Sequence, residues 1–379
     1  MITAARPVPR PTGRALAVRH LGPNWYAAVM GTAVVATAGA ALPVRLPGLR
    51  TLCAGFWALS VVLLAALLVG RALHWTHHRD QARAHLRDPA TAPFYGCLAM
   101  ALLAVGGATV VVGRDWIGTG AAVALDAVLF TAGTVCAAAV AVTVPYLMAV
   151  HGRLDRRQAT PVWLLPLVAP MVSAAMGPLL VPHLPAGQIR EALLWTCVAM
   201  FGLSLLATLL TLPVVFARLV TTGPLPLALT PTFFLVLGPL GQSTTAVGNL
   251  ADAAPFGAHV PVVAYGVPVT GLALLWAVAA AALVLRARRR GMRFAMTWWA
   301  FTFPVGTCVT GAEALGRHTG APAFDQLAIG LYVVLVAAWT AVAVRTARGL
   351  LSRELLAGPR PAPVAPRPAT VRTTSGAVR

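Results

Sequence analysis

Two groups of residues in this chain have types and spacings suited to passing or stopping a small polar solute. The first is Phe303, Pro304, Thr307 and Thr310. At about 100° per residue, Phe303, Thr307 and Thr310 share one helix face, with Gly306 beside them. Pro304 has no N–H and its ring clashes one turn back, so Ala300 loses its usual helical partner. A bulky ring above small hydroxyls at such a break is what a plugged polar conduit would look like; the plainer reading is a core helix with a packed Phe. The second group is Gly238, Gln242, Thr245 and Asn249, spaced 4, 3 and 4 apart, which form one polar stripe on a helix.

Two further groups could do different chemistry. Asp126, Asp252 and Glu313 fall near the ends of apolar runs. Any of them could carry a proton coupled to transport, and the plainer reading is a hydrogen-bonded carboxylate at the interface. His74, His77 and His78 have a His-x-x-His-His spacing found in membrane di-iron enzymes, and such clusters can bind metal. Those sites need several histidine boxes, whereas His20, His85, His151, His183, His259 and His318 are scattered. The cluster therefore reads as a solvated cytoplasmic loop, with no metal or other cofactor and no enzyme activity expected. The chain also lacks a phosphate-binding glycine-rich motif.

The elements that hold these residues follow from composition. The 379 residues are 58% hydrophobic and 10% charged, with mean hydropathy +0.78. Soluble domains carry about 25% charged residues. The charges here cluster between long apolar runs, so the expected fold is an all-α, multi-pass membrane protein. Ten transmembrane spans are predicted near residues 23–43, 49–73, 93–113, 120–150, 161–182, 189–218, 230–251, 259–286, 294–316 and 326–347. Residues 1–22 and 349–379 read as disordered tails rich in Arg and Pro, flanking a ten-span domain over 23–348. Cys53, Cys97, Cys136, Cys197 and Cys308 all lie in apolar segments and read as buried thiols.

All 29 basic residues are Arg. On the ten-span topology, 24 of them fall on the side of both termini and 5 on the other. Both termini are then cytoplasmic and the membrane is the cell's inner (plasma) membrane. The basic excess is topological, and no nucleic-acid partner is implied.

Odd and even spans differ in kind. Even ones, such as the run Val61–Leu68, are greasy and mostly uninterrupted. Odd ones carry breakers and small polar residues: Asn24, Gly31 and Thr32 in the first, Gly96, Gly106 and Gly107 in the third, Pro166, Pro170, Ser173, Gly177 and Pro178 in the fifth. Small residues also let helices pack closely. The alternation nevertheless points to an inner set of odd spans around a pore, with even spans facing lipid or a partner.

Four stretches, in order, carry a family resemblance: Gly22-Pro23-Asn24-Trp25-Tyr26, Pro161-Val162-Trp163-Leu164-Leu165-Pro166, Leu237-Gly238-Pro239-Leu240-Gly241-Gln242-Ser243 and Trp299-Ala300-Phe301-Thr302-Phe303-Pro304. Over about residues 21–348 the chain resembles the tellurite-resistance/dicarboxylate transporter family, which includes fungal malate permeases, sulfite exporters and plant slow anion channels. That resemblance implies five helical hairpins in a quasi-fivefold ring, odd helices lining a pore in each protomer, and a homotrimer. It also implies that Phe303 is the pore-occluding ring.

On this reading the pore is lined by Asn24, Gly31, Gly106, Pro170, Gly177, Gly238, Gln242, Thr245, Pro304, Thr307 and Thr310. No Arg or His stands at mid-depth in the odd spans, so a small-anion substrate would bind weakly and pass quickly. The hydroxyls and the Asn24 and Gln242 amides would provide the donors. Arg288, Arg289, Arg290 and Arg293 could concentrate anions at the cytoplasmic mouth, or simply hold lipid head groups. C4-dicarboxylate, sulfite, tellurite, halide and nitrate all fit such a conduit, and the lack of an Arg pair favours small inorganic or sulfur oxyanions. A His-box metalloenzyme and a non-conducting membrane receptor are the alternatives.

Overall fold

The computed structural model describes Arg19, residues 21–151, 159–253 and 259–352, and Leu355. Among the described residues there are helices and turns and no strand. Most of the two expected tails, and the arginines of the loop at 152–158, lie outside the described residues.

Seven helices are long and apolar enough to cross a membrane: Leu49–His77, Ala92–Ile117, Thr119–Val150, Pro161–His183, Gln188–Thr222, Pro261–Arg289 and Pro322–Leu351. The first, seventh and ninth predicted spans are also helical, over Pro23–Ala41, Leu227–Ala253 and Met296–Thr319. They are not among those seven: Asn24, Gln242 and Asn249 interrupt the apolar runs of the first and seventh, and Thr302 breaks the ninth, leaving a helix of 17 residues from Phe303. One helix was not expected. Arg79–Arg87 is a short amphipathic element following the second segment, and its Ala82 is buried.

The even segments are continuous α-helices of 29, 33, 35, 31 and 30 residues. Pro145, Pro213 and Pro268 sit inside them without ending them. The odd segments are composite. Each begins with 3-10 turns, at Pro23–Trp25, Ala92–Tyr95, Pro161–Trp163, Leu227–Val236 and Met296–Phe301. The continuous α parts that follow have only 16, 13, 13, 17 and 17 residues. Proline explains several of these openings, because its fixed φ and missing N–H suit a first turn, where the donor would be unpaired anyway. The third segment also carries a π-helical turn at Thr109–Gly113, and the fifth ends in 3-10 turns at Gly177–His183.

Pro304 follows the same logic. The α-helix starts at Phe303, so the proline lies in the first turn of a restarted helix rather than in the middle of a kinked one. Thr302 makes the junction with φ −97° and ψ −78°. Its backbone N–H donates to the Trp299 carbonyl at 3.1 Å, and its own carbonyl accepts from Gly306 N–H at 2.9 Å.

Odd segments form the core. Of the apolar stretch in the third and in the fifth, 89% is buried, against 11–33% in the five even helices. The odd segments also touch in a closed order: first on third, third on fifth, fifth on seventh, seventh on ninth, and ninth back on first. Each even helix packs against the odd one that precedes it.

Candidate functional site

All five odd segments meet at one small cavity of about 10 Å³. Met30, Met100, Leu165, Leu235 and Gly238 line it from the first, third, fifth and seventh segments, and Phe303 and Pro304 from the ninth. That volume is about one water-sized probe. Phe303 is 3% exposed and lines this cavity where the core segments converge. Phe301, two residues earlier, points elsewhere: it meets Phe234 at 5.0 Å and Trp298 at 5.7 Å, both edge-on.

Two cavities lie on the side of the 3-10 turns. One of about 20 Å³ shares Met30, Leu165 and Leu235 with the central space and adds Phe94, Trp299 and Ala300. The other, about 420 Å³, shares Phe94 and adds Trp163, Leu229, Asp88 and Arg218. Toward the opposite end, a vestibule of about 410 Å³ is bordered by Arg50, Arg114, His183, Asn249 and Asp252. The polar stripe on the seventh segment leads from one to the other, with Gly238 at the central cavity and Asn249 at this vestibule. Between them stands Gln242, 1% exposed, whose Nε2 has no hydrogen-bond partner.

The other predicted lining residues divide by what they touch. Thr245 Oγ1 lies 2.7 Å from Thr310 Oγ1, and Thr307 Oγ1 donates to the Pro304 carbonyl at 2.7 Å, so these hydroxyls are engaged along the seam between the seventh and ninth segments. A Cβ on Gly31 would meet Thr302 and Trp299, one on Gly106 would meet Asp126, and one on Gly177 would meet Cys197 and Phe130. At these three glycines the missing side chain lets a neighbouring helix approach. A Cβ on Gly238 would meet nothing within 4 Å. Pro170 is buried inside the fifth helix, and Asn24 is half-buried in the opening turn of the first.

The charged residues are not gathered at one point. Asp126 is buried on the fourth helix and faces the Gly106 backbone. Glu313 is buried one turn before Arg317. Neither lines the cavities described above. Asp252, on the vestibule rim, pairs with Arg317 at 3.0 Å and His318 at 3.1 Å. On the same rim Arg50 pairs with Asp115 at 2.7 Å. Arg288, Arg289, Arg290 and Arg293 are exposed and line neither cavity on the side of the 3-10 turns, while the Arg288 guanidinium stacks 5.2 Å from the Trp298 ring. The arginine at the 420 Å³ cavity is Arg218, which donates to the Gly223 carbonyl at 2.6 Å. Nothing in the sequence separated it from the other arginines between spans.

The histidine cluster is not a solvated loop throughout. His74 and His77 belong to the last turn of the second helix, and His74 is 0% exposed. Its ring stacks on that of His85 at 5.4 Å, because the unforeseen Arg79–Arg87 helix folds back over it. Among the described residues, no group of three or more His, Cys, Asp or Glu side chains could hold a metal ion.

The family described as SLAC1, voltage-dependent anion channel, matches residues 20–347. An uncharacterized transporter of Methanocaldococcus jannaschii, MJ0576, is 28% identical over 343 residues, covering 90% of this chain and 96% of its own. The sulfite efflux pump SSU1 of Trichophyton rubrum is 25% identical over 364 residues, covering 90% of this chain and 93% of its own.

Proposed function

Because this multi-pass chain belongs to the voltage-dependent anion channel family, we propose that it passes small anions along the axis of its five odd segments. Phe303 is the stopper of that path. The observation that carries this reading is the convergence of all five odd segments on the cavity that Phe303 lines. The contact order of those segments supports a ten-span, quasi-fivefold ring, with the greasy even helices outside. Both termini are cytoplasmic in this reading, the membrane is the plasma membrane, and three copies assemble with one conduit each.

An anion on this path meets no charged clamp at mid-depth. It meets the unpaired Gln242 amide N–H on one side of the stopper and Arg218 on the other. Weak neutral donors suit an ion that must leave as easily as it enters. Sulfite or a similar small oxyanion is the proposed substrate class, supported by the absence of paired arginines and by the name of one relative. C4-dicarboxylate, tellurite, halide and nitrate are its competitors. A negative cell interior drives anions outward by about 2.3 kcal/mol per charge per 100 mV, so passive efflux is the default direction.

The test is anion flux in proteoliposomes. If the packed Phe303 ring is favoured by about 1.5–3 kcal/mol, its displacement is roughly ten- to a hundredfold rare. Phe303→Ala should then raise flux by up to that factor, and a competition panel of anions against the measured flux ranks the substrates. Unchanged flux in a folded Phe303→Ala protein would reject the stopper.

A further inference from the structure

A separate groove of about 500 Å³ lies on the outside of the protein, between the first, second and tenth segments. Trp25, Thr32, Leu63, Trp299, Trp339 and Leu350 are among its walls. Its hydroxyls are already engaged. Thr32 Oγ1 donates to the Ala28 carbonyl at 2.7 Å and accepts the Trp339 indole N–H at 3.0 Å. Thr346 Oγ1 donates to the Val342 carbonyl at 2.9 Å and accepts the Trp299 indole N–H at 3.1 Å. A ligand in this groove finds apolar surface and no free hydroxyl, so hydrocarbon suits it and a polar solute does not.

We propose that the groove holds one acyl chain of an anionic phospholipid, from the cytoplasmic leaflet on the orientation proposed above. The rim residues Leu59, Ala66, Ala347 and Leu350 are exposed on helices that read as membrane spans, so a lipid chain reaches the groove without leaving hydrocarbon. One end of the groove is marked by Leu21 and Leu350. Arg19 and Arg348, each two residues before one of these leucines in the chain, are exposed. Arg345, also exposed, holds its guanidinium 4.9 Å from the Trp298 ring at the same end. Cations at the end of an apolar slot match a phosphate head group above its own chain.

The occupant would touch the conduit through one side chain. Trp299 is a wall of this groove and also of the 20 Å³ cavity on the inner side of Phe303. Its carbonyl accepts both the backbone N–H of Thr302 at 3.1 Å and the Thr302 hydroxyl at 2.7 Å. Thr302 is the residue directly before the stopper. A chain in the groove braces Trp299 and, through Thr302, holds Phe303 where it lies.

The binding claim is tested without reference to transport. The purified full chain is mixed with phosphatidylglycerol or phosphatidylcholine, and retained lipid is read by native mass spectrometry. One phosphatidylglycerol per protomer should survive delipidation in the wild type. Ala66→Trp and Ala347→Phe fill the groove from exposed positions and should fold normally and lose that lipid. Arg19→Gln with Arg348→Gln should weaken the phosphatidylglycerol preference by about fivefold per arginine removed. Equal retention by wild type and by both folded groove-filling variants overturns the site, as does equal retention of the two lipids by the wild type. Efficient disulfide cross-linking of Ala66→Cys between subunits overturns it too, since a second copy would then cover the groove.

Discussion

Gln242 buries an amide N–H that no protein group accepts. Leaving such a donor unpaired costs about 1–3 kcal/mol, which a purely structural residue would not keep. Gln242→Leu should therefore unfold no earlier than the wild type in a thermal melt while its anion flux falls. Phe301 is the control for Phe303. Phe301→Ala gives up two edge-on ring contacts, each about 0.5–1.5 kcal/mol, so it should lower the melting temperature without raising flux. Asp126 turns its carboxylate to the Gly106 backbone and lines none of the cavities described above. Asp126→Asn should leave the response of flux to an imposed pH gradient unchanged; loss of that response would make Asp126 a proton carrier. Residue-level chemistry was only partly legible in the sequence. Phe303 and the Gln242 stripe stood out by type and period, whereas Met30, Met100 and Leu235 are apolar residues among many and gave no sign that they line a cavity. Gly31, Gly106 and Gly177 gave the opposite difficulty, since a small residue beside a lumen and one beneath a neighbouring helix look alike in a sequence.

The elements were more legible than the residues. Prolines and glycines in the odd segments, and their scarcity in the even ones, forecast the contrast between composite and continuous helices. What composition could not supply was the position of each discontinuity. Pro304 suggested a kink, yet the backbone restarts at Phe303 and places the proline in a first turn. The Arg79–Arg87 helix was missed because charged and polar residues dominate it and only Ala82 is buried. One tight joint between elements is the seam of the seventh and ninth segments. A Cβ on Gly241 would come within 2.6 Å of the backbone at Thr307 and Cys308. Backbone cannot yield as a flexible side chain does, so Gly241→Ala should destabilise the protein by about 1–3 kcal/mol, visible as a lower melting temperature in detergent.

For the molecule as a whole, the division between buried odd and exposed even segments follows from the solvent. The hydrocarbon core of a bilayer forbids unpaired backbone facing lipid, so discontinuous helices are tolerated only where other protein or a water-filled cavity surrounds them. The ionic rim of the vestibule acts at the same scale. Asp252 and Arg317 are both about half exposed, so their pairing adds at most about 1 kcal/mol to stability. Arg317→Gln should leave the melt unchanged but strip one positive charge from the mouth. Anion flux should then fall at low ionic strength and recover as salt screens the rim.

The composite build of the odd segments also bears on how the chain enters the bilayer. The first, seventh and ninth fall short of a self-sufficient membrane helix, while the second, eighth and tenth, which directly follow them, do not. On the ten-span reading, a ribosome that has delivered only the first segment offers the translocon a marginal client. The second must emerge before either is released into lipid, and the same holds for the later two pairs. Biogenesis would then advance two helices at a time, and a nascent chain halted between the members of a pair would remain extractable by alkali.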